Sequence, residues 1–154
     1  MRGNEKVIGE LNKALQSELT AIVQYFVSAE MYDNWGYKCL GEVIKKRAIE
    51  EMRHAEGLIE RILFLDATPD INVSLNPRLS NNVSAQFETD LADEQDAVRQ
   101  YNAAAQVCQE AGDSGTRELF EHMVKDEEAH ADYLEAQLHA IGEMGIGNYL
   151  SKQL

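Results

Sequence analysis

The sequence predicts an all-α fold: an up-down-down-up four-helix bundle with a long crossover between its second and third helices and a short fifth helix at the C-terminus. Three observations carry that expectation. Good helix formers dominate the chain except between positions 67 and 82, where both prolines, Pro69 and Pro77, lie among Ser and Asn. Apolar residues recur at steps of three and four in four long segments. The breaks between segments are short except for that one window.

The first helix spans roughly 5–34 and shows the stripe Ile8, Leu11, Leu15, Glu18, Ile22, Tyr25, Ala29. After a break at Gly36, the second covers 38–66, with Ile44, Ala48, Glu51, Ala55, Leu58, Ile62, Leu65. A turn this short makes the two helices antiparallel neighbours. The 67–82 segment has 16 residues, enough to span roughly 50 Å when extended. A helix of this size is about 42 Å long, so the segment can deliver the third helix to the far end of the bundle. The third helix, 83–111, reads Phe87, Leu91, Glu94, Val98, Tyr101, Ala105, Cys108. The run Gly112-Asp113-Ser114-Gly115 leads to the fourth, 115–143, with Phe120, Met123, Glu127, Ala131, Leu134, Leu138, Ile141. A fifth segment, 146–153, follows Gly142, Gly145 and Gly147. Heptad-like stripes of this kind form the seam of a helical bundle. The whole chain, 1–154, is expected to form one domain.

Composition narrows the function classes. With 14 Lys+Arg against 27 Asp+Glu, the net charge is −13. Such a surface repels nucleic acid and anionic membranes and draws small cations. Cys39 and Cys108 lie far apart, which favours reduced, buried thiols over a disulfide framework. The N-terminal residues lack an apolar core and no stretch approaches eighteen apolar residues, so the expected location is the cytoplasm.

In every stripe a glutamate occupies the middle of the seam, where an apolar residue belongs. Buried carboxylates without partners each cost several kcal/mol or more. Glu18 and Glu51 are 33 positions apart, as are Glu94 and Glu127, and each pair is centred on a predicted turn. Each pair therefore sits at matching depth. His54 and His130 follow Glu51 and Glu127 by three residues, on the same helix face. Glu18 to Glu94, Glu51 to Glu127 and His54 to His130 are all 76 positions apart, the mark of a repeated helical hairpin. One Glu from each of two helices plus Glu-x-x-His from the other two is the ligand set of carboxylate-bridged two-metal bundles. Four carboxylates and two neutral imidazoles balance two divalent cations, and the donor types suit Fe, Mn or Zn.

The surroundings repeat as well. Tyr25 and Tyr101 each follow a seam glutamate by seven residues, placing their hydroxyls to bond ligand carboxylates or pass an electron. Glu50 and Asp126 precede the two Glu-x-x-His motifs and are placed to orient the histidines. Met52, one residue past Glu51, points about 100° away from the seam. With Leu19, Val23, Phe26, Ile49 and Ile59 it forms a second apolar stripe that implies a subunit interface. Within such an interface Met52 serves either as packing or as a cofactor ligand.

The chain resembles the bacterioferritins, the haem-containing branch of the ferritin superfamily. The resemblance runs through Val7-Ile8-Gly9-Glu10-Leu11-Asn12-Lys13, Glu18-Leu19-Thr20-Ala21-Ile22, Gln24-Tyr25-Phe26, Ile49-Glu50-Glu51-Met52-Arg53-His54-Ala55 and Glu60-Arg61-Ile62-Leu63-Phe64-Leu65. It continues through Asp126-Glu127-Glu128-Ala129-His130 and Asn148-Tyr149-Leu150. It implies a ferritin-like subunit of a hollow 24-subunit cage of two-fold dimers that stores ferric mineral. It also implies a di-iron ferroxidase centre oxidising Fe²⁺ with O₂ or H₂O₂. In that centre Glu51 and Glu127 would bridge, Glu18, Glu94, His54 and His130 would be terminal ligands, and Tyr25 would stand beside them. Met52 and its symmetry mate would ligate haem b at the dimer two-fold, and a ferredoxin-type reductant for iron release is admitted. Two departures stand out. An inner-surface iron site that some members build from His and Asp has Lys46 and Glu50 here, and the ammonium repels Fe²⁺. Tyr101 lies outside the family pattern. A rubrerythrin-like peroxidase would add a Cys-x-x-Cys pair, which the chain lacks.

Overall fold

A computed structural model describes residues 1–72 and 74–154; position 73 of the crossover lies outside the described residues. Among the described residues there are five helices: α1 (Glu5–Asn34), α2 (Lys38–Phe64), α3 (Val83–Glu110), α4 (Ser114–Met144) and α5 (Ile146–Ser151). They form the expected four-helix bundle with a short C-terminal helix, α1 packing on α2 and α3, and α4 on α3, α2 and α5.

The helix ends have local causes. Asn4 caps α1 by accepting from the Lys6 and Val7 amides, and Asn82 caps α3 by accepting from Ala85. The two hairpin turns are copies of each other. Gly36 (φ 92°) and Gly112 (φ 72°) hold left-handed backbone, and Tyr37 N–H donates to Tyr32 O at 2.8 Å as Asp113 N–H does to Cys108 O. That six-residue closing bond around a left-handed glycine is a Schellman stop. The same device ends α2 two residues before the expected position 66. Asp66 adopts φ 58°, and Ala67 N–H reaches Ile62 O at 3.1 Å.

The crossover runs up the outside of α1. Leu65 O accepts from Gly3 N–H, the Asp70 amide donates to Asn12 Oδ1, and the Arg78 amide donates to Gln24 Oε1. Gln86 then receives the Ser80 amide at the start of α3. The segment thus climbs from one end of the bundle to the other, and α3 starts where α1 ends.

The predicted stripe of α2 is buried throughout, from Ile44 to Leu65. The core is not continuous. One apolar cluster gathers Leu11, Leu15, Leu58, Ile62, Tyr101 and Phe120; another gathers Tyr32, Leu40, Ile44, Phe87 and Leu134. Between the two lies a polar layer. Cys108 is buried as expected, but Cys39 is exposed: it sits in the first turn of α2, facing away from the bundle beside the Leu154 carbonyl. No helix among the described residues is long and apolar enough to cross a membrane.

Candidate metal centre

The polar layer consists of Glu18, Glu51, His54, Glu94, Glu127 and His130, all nearly closed to solvent. α1 and α3 contribute one glutamate each, and α2 and α4 contribute one Glu-x-x-His pair each. All six residues singled out by spacing therefore meet, and they do so in two overlapping groups. Glu18, Glu51, His54 and Glu127 bring one ligand atom apiece within 4.8 Å of one another, and so do Glu51, Glu94, Glu127 and His130.

Glu51 and Glu127 belong to both groups, and the distances show how. His54 Nδ1 lies 3.0 Å from Glu51 Oε2 and 3.0 Å from Glu127 Oε1, while His130 Nδ1 lies 3.2 Å from Glu51 Oε1 and 3.4 Å from Glu127 Oε2. Each shared carboxylate turns one oxygen to each imidazole. Glu18 approaches only His54, at 3.6 Å, and Glu94 only His130, at 3.4 Å. The imidazole rings are nearly parallel, their centroids 6.4 Å apart.

The supporting bonds cross between hairpins. His54 Nε2 pairs with Asp126 Oδ2 of α4 at 2.9 Å, and His130 Nε2 with Glu50 Oε2 of α2 at 2.6 Å. Each acid beside one Glu-x-x-His motif thus orients the histidine of the other. With Nε2 engaged, each Nδ1 is left facing the carboxylates. The tyrosines cross likewise: Tyr25 O–H donates to Glu94 and Tyr101 O–H to Glu18. Burial, reinforced by the neighbouring carboxylate, pushes both phenols well above the usual range.

The electrostatics of the layer follow from burial and from the groups crowded within it. Burial and neighbouring carboxylates drive Glu18 and Glu94 well up from the ordinary range. Burial pulls Glu51 and Glu127 the same way, but the neighbouring Glu18 or Glu94 and the two imidazoles hold them low. Burial alone would lower the imidazoles; the carboxylates of Glu127, Glu51 and Glu94 push His130 up to about 12 instead, and His54 rises further still. Glu18 Oε2, Glu51 Oε1, Glu127 Oε1 and His130 Nδ1 are buried without a hydrogen-bond partner. Four orphaned donors of the right chemistry in one layer fit a pair of carboxylate- and imidazole-bound metals.

Two cavities reach the layer. One of about 500 Å³ between α1 and α3 is lined by Glu18, Tyr25, Glu51, Glu94, Tyr101 and Glu127, with Arg78 of the crossover at its margin. Another of about 600 Å³ between α2 and α4 reaches His54 and His130. Met52 stands apart, 49% exposed on the outer face of α2, where Ile49 is also exposed, as is Phe26 of α1.

Two features had no reading in the sequence. Arg47 is buried beside the layer, its Nη1 4.0 Å from Glu94 and its guanidinium 5.4 Å from the Tyr133 ring. Its place one turn before Glu51 was the available signal. Asp90 is fully buried, accepting from Gln24 and Gln86 at 2.8 Å each, and nothing short of the crossover's path would have revealed that network.

Comparison with known proteins agrees with this architecture. The family model for a ferritin-like domain matches residues 8–144. The chain is 43% identical to a bacterioferritin of Mycolicibacterium paratuberculosis over 149 residues, covering 97% of this chain and 94% of the relative. It is 41% identical to one of Rhodobacter capsulatus over 146 residues, 94% and 90% of the two chains. A Brucella melitensis bacterioferritin is 38% identical over 149 residues, 97% and 92%.

Proposed function

The chain belongs to the bacterioferritin family of ferritin-like proteins, and from that premise we propose that it oxidises Fe²⁺ at the six-residue layer and stores the ferric product in a cage of its own copies. The observation that carries this reading is the pair of overlapping ligand groups sharing Glu51 and Glu127. Glu51 and Glu127 bridge the two ions, Glu18 and His54 complete one coordination sphere, and Glu94 and His130 complete the other. Each bound Fe²⁺ gives one electron to O₂ or H₂O₂. The protein contributes the placement. Asp126 and Glu50 fix the imidazole tautomers, Tyr25 and Tyr101 hold the terminal carboxylates, and the acidic surface concentrates Fe²⁺ around the cavities.

Assembly and haem follow from the outer face. The exposed stripe of Phe26, Ile49 and Met52 is the surface on which a second copy docks in a 24-subunit cage built from dimers. A thioether at 49% exposure amid apolar neighbours suits a soft ligand to a haem iron. Met52 and its symmetry mate would hold haem b there, and the haem would supply an electron path from a ferredoxin-type reductant during iron release. The working location is the cytoplasm, where Fe²⁺ is available.

Aerobic addition of Fe²⁺ tests the reading. A fast ferric absorbance rise is expected, and Glu18→Ala and His130→Ala should slow it sharply; variants as fast as the parent would remove the layer from the reaction. Met52→Leu should abolish the Soret band after haem reconstitution while leaving the ferric signal. Particle mass settles the cage.

A further inference from the structure

We propose that Tyr101 is a redox-active residue of the centre, paired with Tyr25, so that the protein supplies two electrons beyond the two carried by iron. This rests on the ferroxidase reading above. Tyr101 is 1% exposed, its ring packs against Phe120 at 5.9 Å, and its hydroxyl donates to Glu18. Position 101 is position 25 advanced by the 76-residue repeat, and the bond to Glu18 mirrors that of Tyr25 to Glu94. The two phenols thus approach opposite ends of the layer, each touching the one carboxylate that is not shared. Phe would fill the slot against Phe120 without burying a hydroxyl.

A phenol loses an electron readily only if its proton can leave together with it, and a carboxylate already accepting that proton is the required partner. Both tyrosines also line the α1–α3 cavity, together with the Glu18 and Glu94 that accept from them. The electron count closes with O₂ as oxidant. Two Fe²⁺ and two tyrosines give four electrons; the O–O bond breaks, and O₂ leaves as two waters. Two of the four protons come from the phenols, through Glu18 and Glu94, and two from solvent. The products are two Fe³⁺ and two neutral tyrosyl radicals. Iron alone carries O₂ only to H₂O₂.

The test is a single turnover. Protein loaded anaerobically with two Fe²⁺ per subunit is mixed with O₂ and freeze-quenched for electron paramagnetic resonance. Parent, Tyr25→Phe, Tyr101→Phe and the double variant are compared, with ring-deuterated tyrosine to assign the signal. The parent should show a tyrosyl radical, each single variant a diminished one, and the double variant none, with H₂O₂ released in its place. If Tyr25→Phe alone abolishes the radical, or Tyr101→Phe leaves radical and peroxide unchanged, Tyr101 only positions Glu18 and the proposal falls. A parent that forms ferric product without any radical overturns it too and leaves the ferroxidase reading standing. A parent that forms no ferric product overturns both.

Discussion

The hairpin α1–α2 and the hairpin α3–α4 place Glu, Glu and His at positions 76 apart and end their first helices with the same left-handed glycine stop. Around the ligands they diverge. Arg47 of α2 has Met123 as its counterpart on α4, and Asp90 of α3 has Ala14 on α1. All four side chains are buried. The buried polar layer is therefore nearly symmetric in its carboxylates and imidazoles and asymmetric in its surrounding charge. The cationic Arg47 lies on the Glu94–His130 side, while the His54 side has no charge at the matching place. Two groups of matching carboxylates and imidazoles thus differ through neighbours that belong to neither.

The largest expected effect breaks the symmetry that remains. Glu51→Ala removes an oxygen from both groups, whereas Glu18→Ala removes one from the His54 group alone. Titration with Co²⁺, read by its visible spectrum, should show both sites lost in the first variant and one retained in the second. Iron oxidation should fall by about a hundredfold or more in Glu51→Ala, beyond the 10–100-fold typical of outer partners. Equal losses in the two variants would mean that Glu51 does not bridge.

Asp126→Ala and Glu50→Ala probe the crossed supports. Asp126 bonds the histidine of the first hairpin and Glu50 that of the second. Each variant should weaken metal binding by about 10–100-fold at the site across the bundle rather than on its own helix. Selective loss at the His54 site in Asp126→Ala, assigned from the two histidine nuclear resonance signals, is the outcome to look for. Loss at the His130 site would contradict the crossing.

Asp90 offers a pH test of the second asymmetry. Burial raises its carboxyl from 3.8 to about 6, against the opposing bonds from Gln86 and Gln24. Between those values the folded chain holds a proton that the unfolded chain releases, so the stability contributed by Asp90 is present below about pH 4 and is lost as pH rises through about 6. Asp90→Asn keeps the acceptor oxygen and cannot ionise. It should gain about 1–2 kcal/mol over the parent at pH 7 and show no difference near pH 4, read as denaturation midpoints. A constant offset at both pH values would place the effect elsewhere.

How far the sequence carried these conclusions depended on which residues obey a period. The ligands, the tyrosines and the apolar stripes recur at helical spacing and at 76, so position alone brought them together; α1 matched its expected span and α2 missed by two residues. The crossing of the supports was hidden, because spacing places Glu50 and Asp126 beside their motifs without saying which imidazole each faces. Arg47 and Asp90 were hidden for the opposite reason. They have no repeat partner of like chemistry, and a lone charge on a helix usually belongs to a solvated face. Cys39 escaped because a helix's first turn can point away from the core.

The smallest effect concerns Arg47, and it sharpens the comparison most. Its guanidinium lies 4.0 Å from Glu94 and 3.6 Å from Glu50, so it competes with metal for the carboxylates of one side only. Opposite charges at this separation interact by about 4 kcal/mol at an effective dielectric of 20, and a metal arriving on the other side of Glu94 is opposed by a fraction of that. The parent should bind divalent ions in two unequal steps, the His54 site first. Arg47→Met installs the residue that the second hairpin carries at the matching place, with an unbranched chain of similar reach. The second step should tighten by about tenfold and approach the first, equivalent to about 1.4 kcal/mol. Glu50 loses its cation as well, which leaves it a freer acceptor for His130 Nε2 and adds to the same change. Anaerobic calorimetry with Co²⁺ separates the steps. Convergence in Arg47→Met would show that one buried guanidinium is enough to order two otherwise matched sites. Two steps still tenfold apart would shift the cause to the supports, where Asp126 and Glu50 differ in length by one methylene.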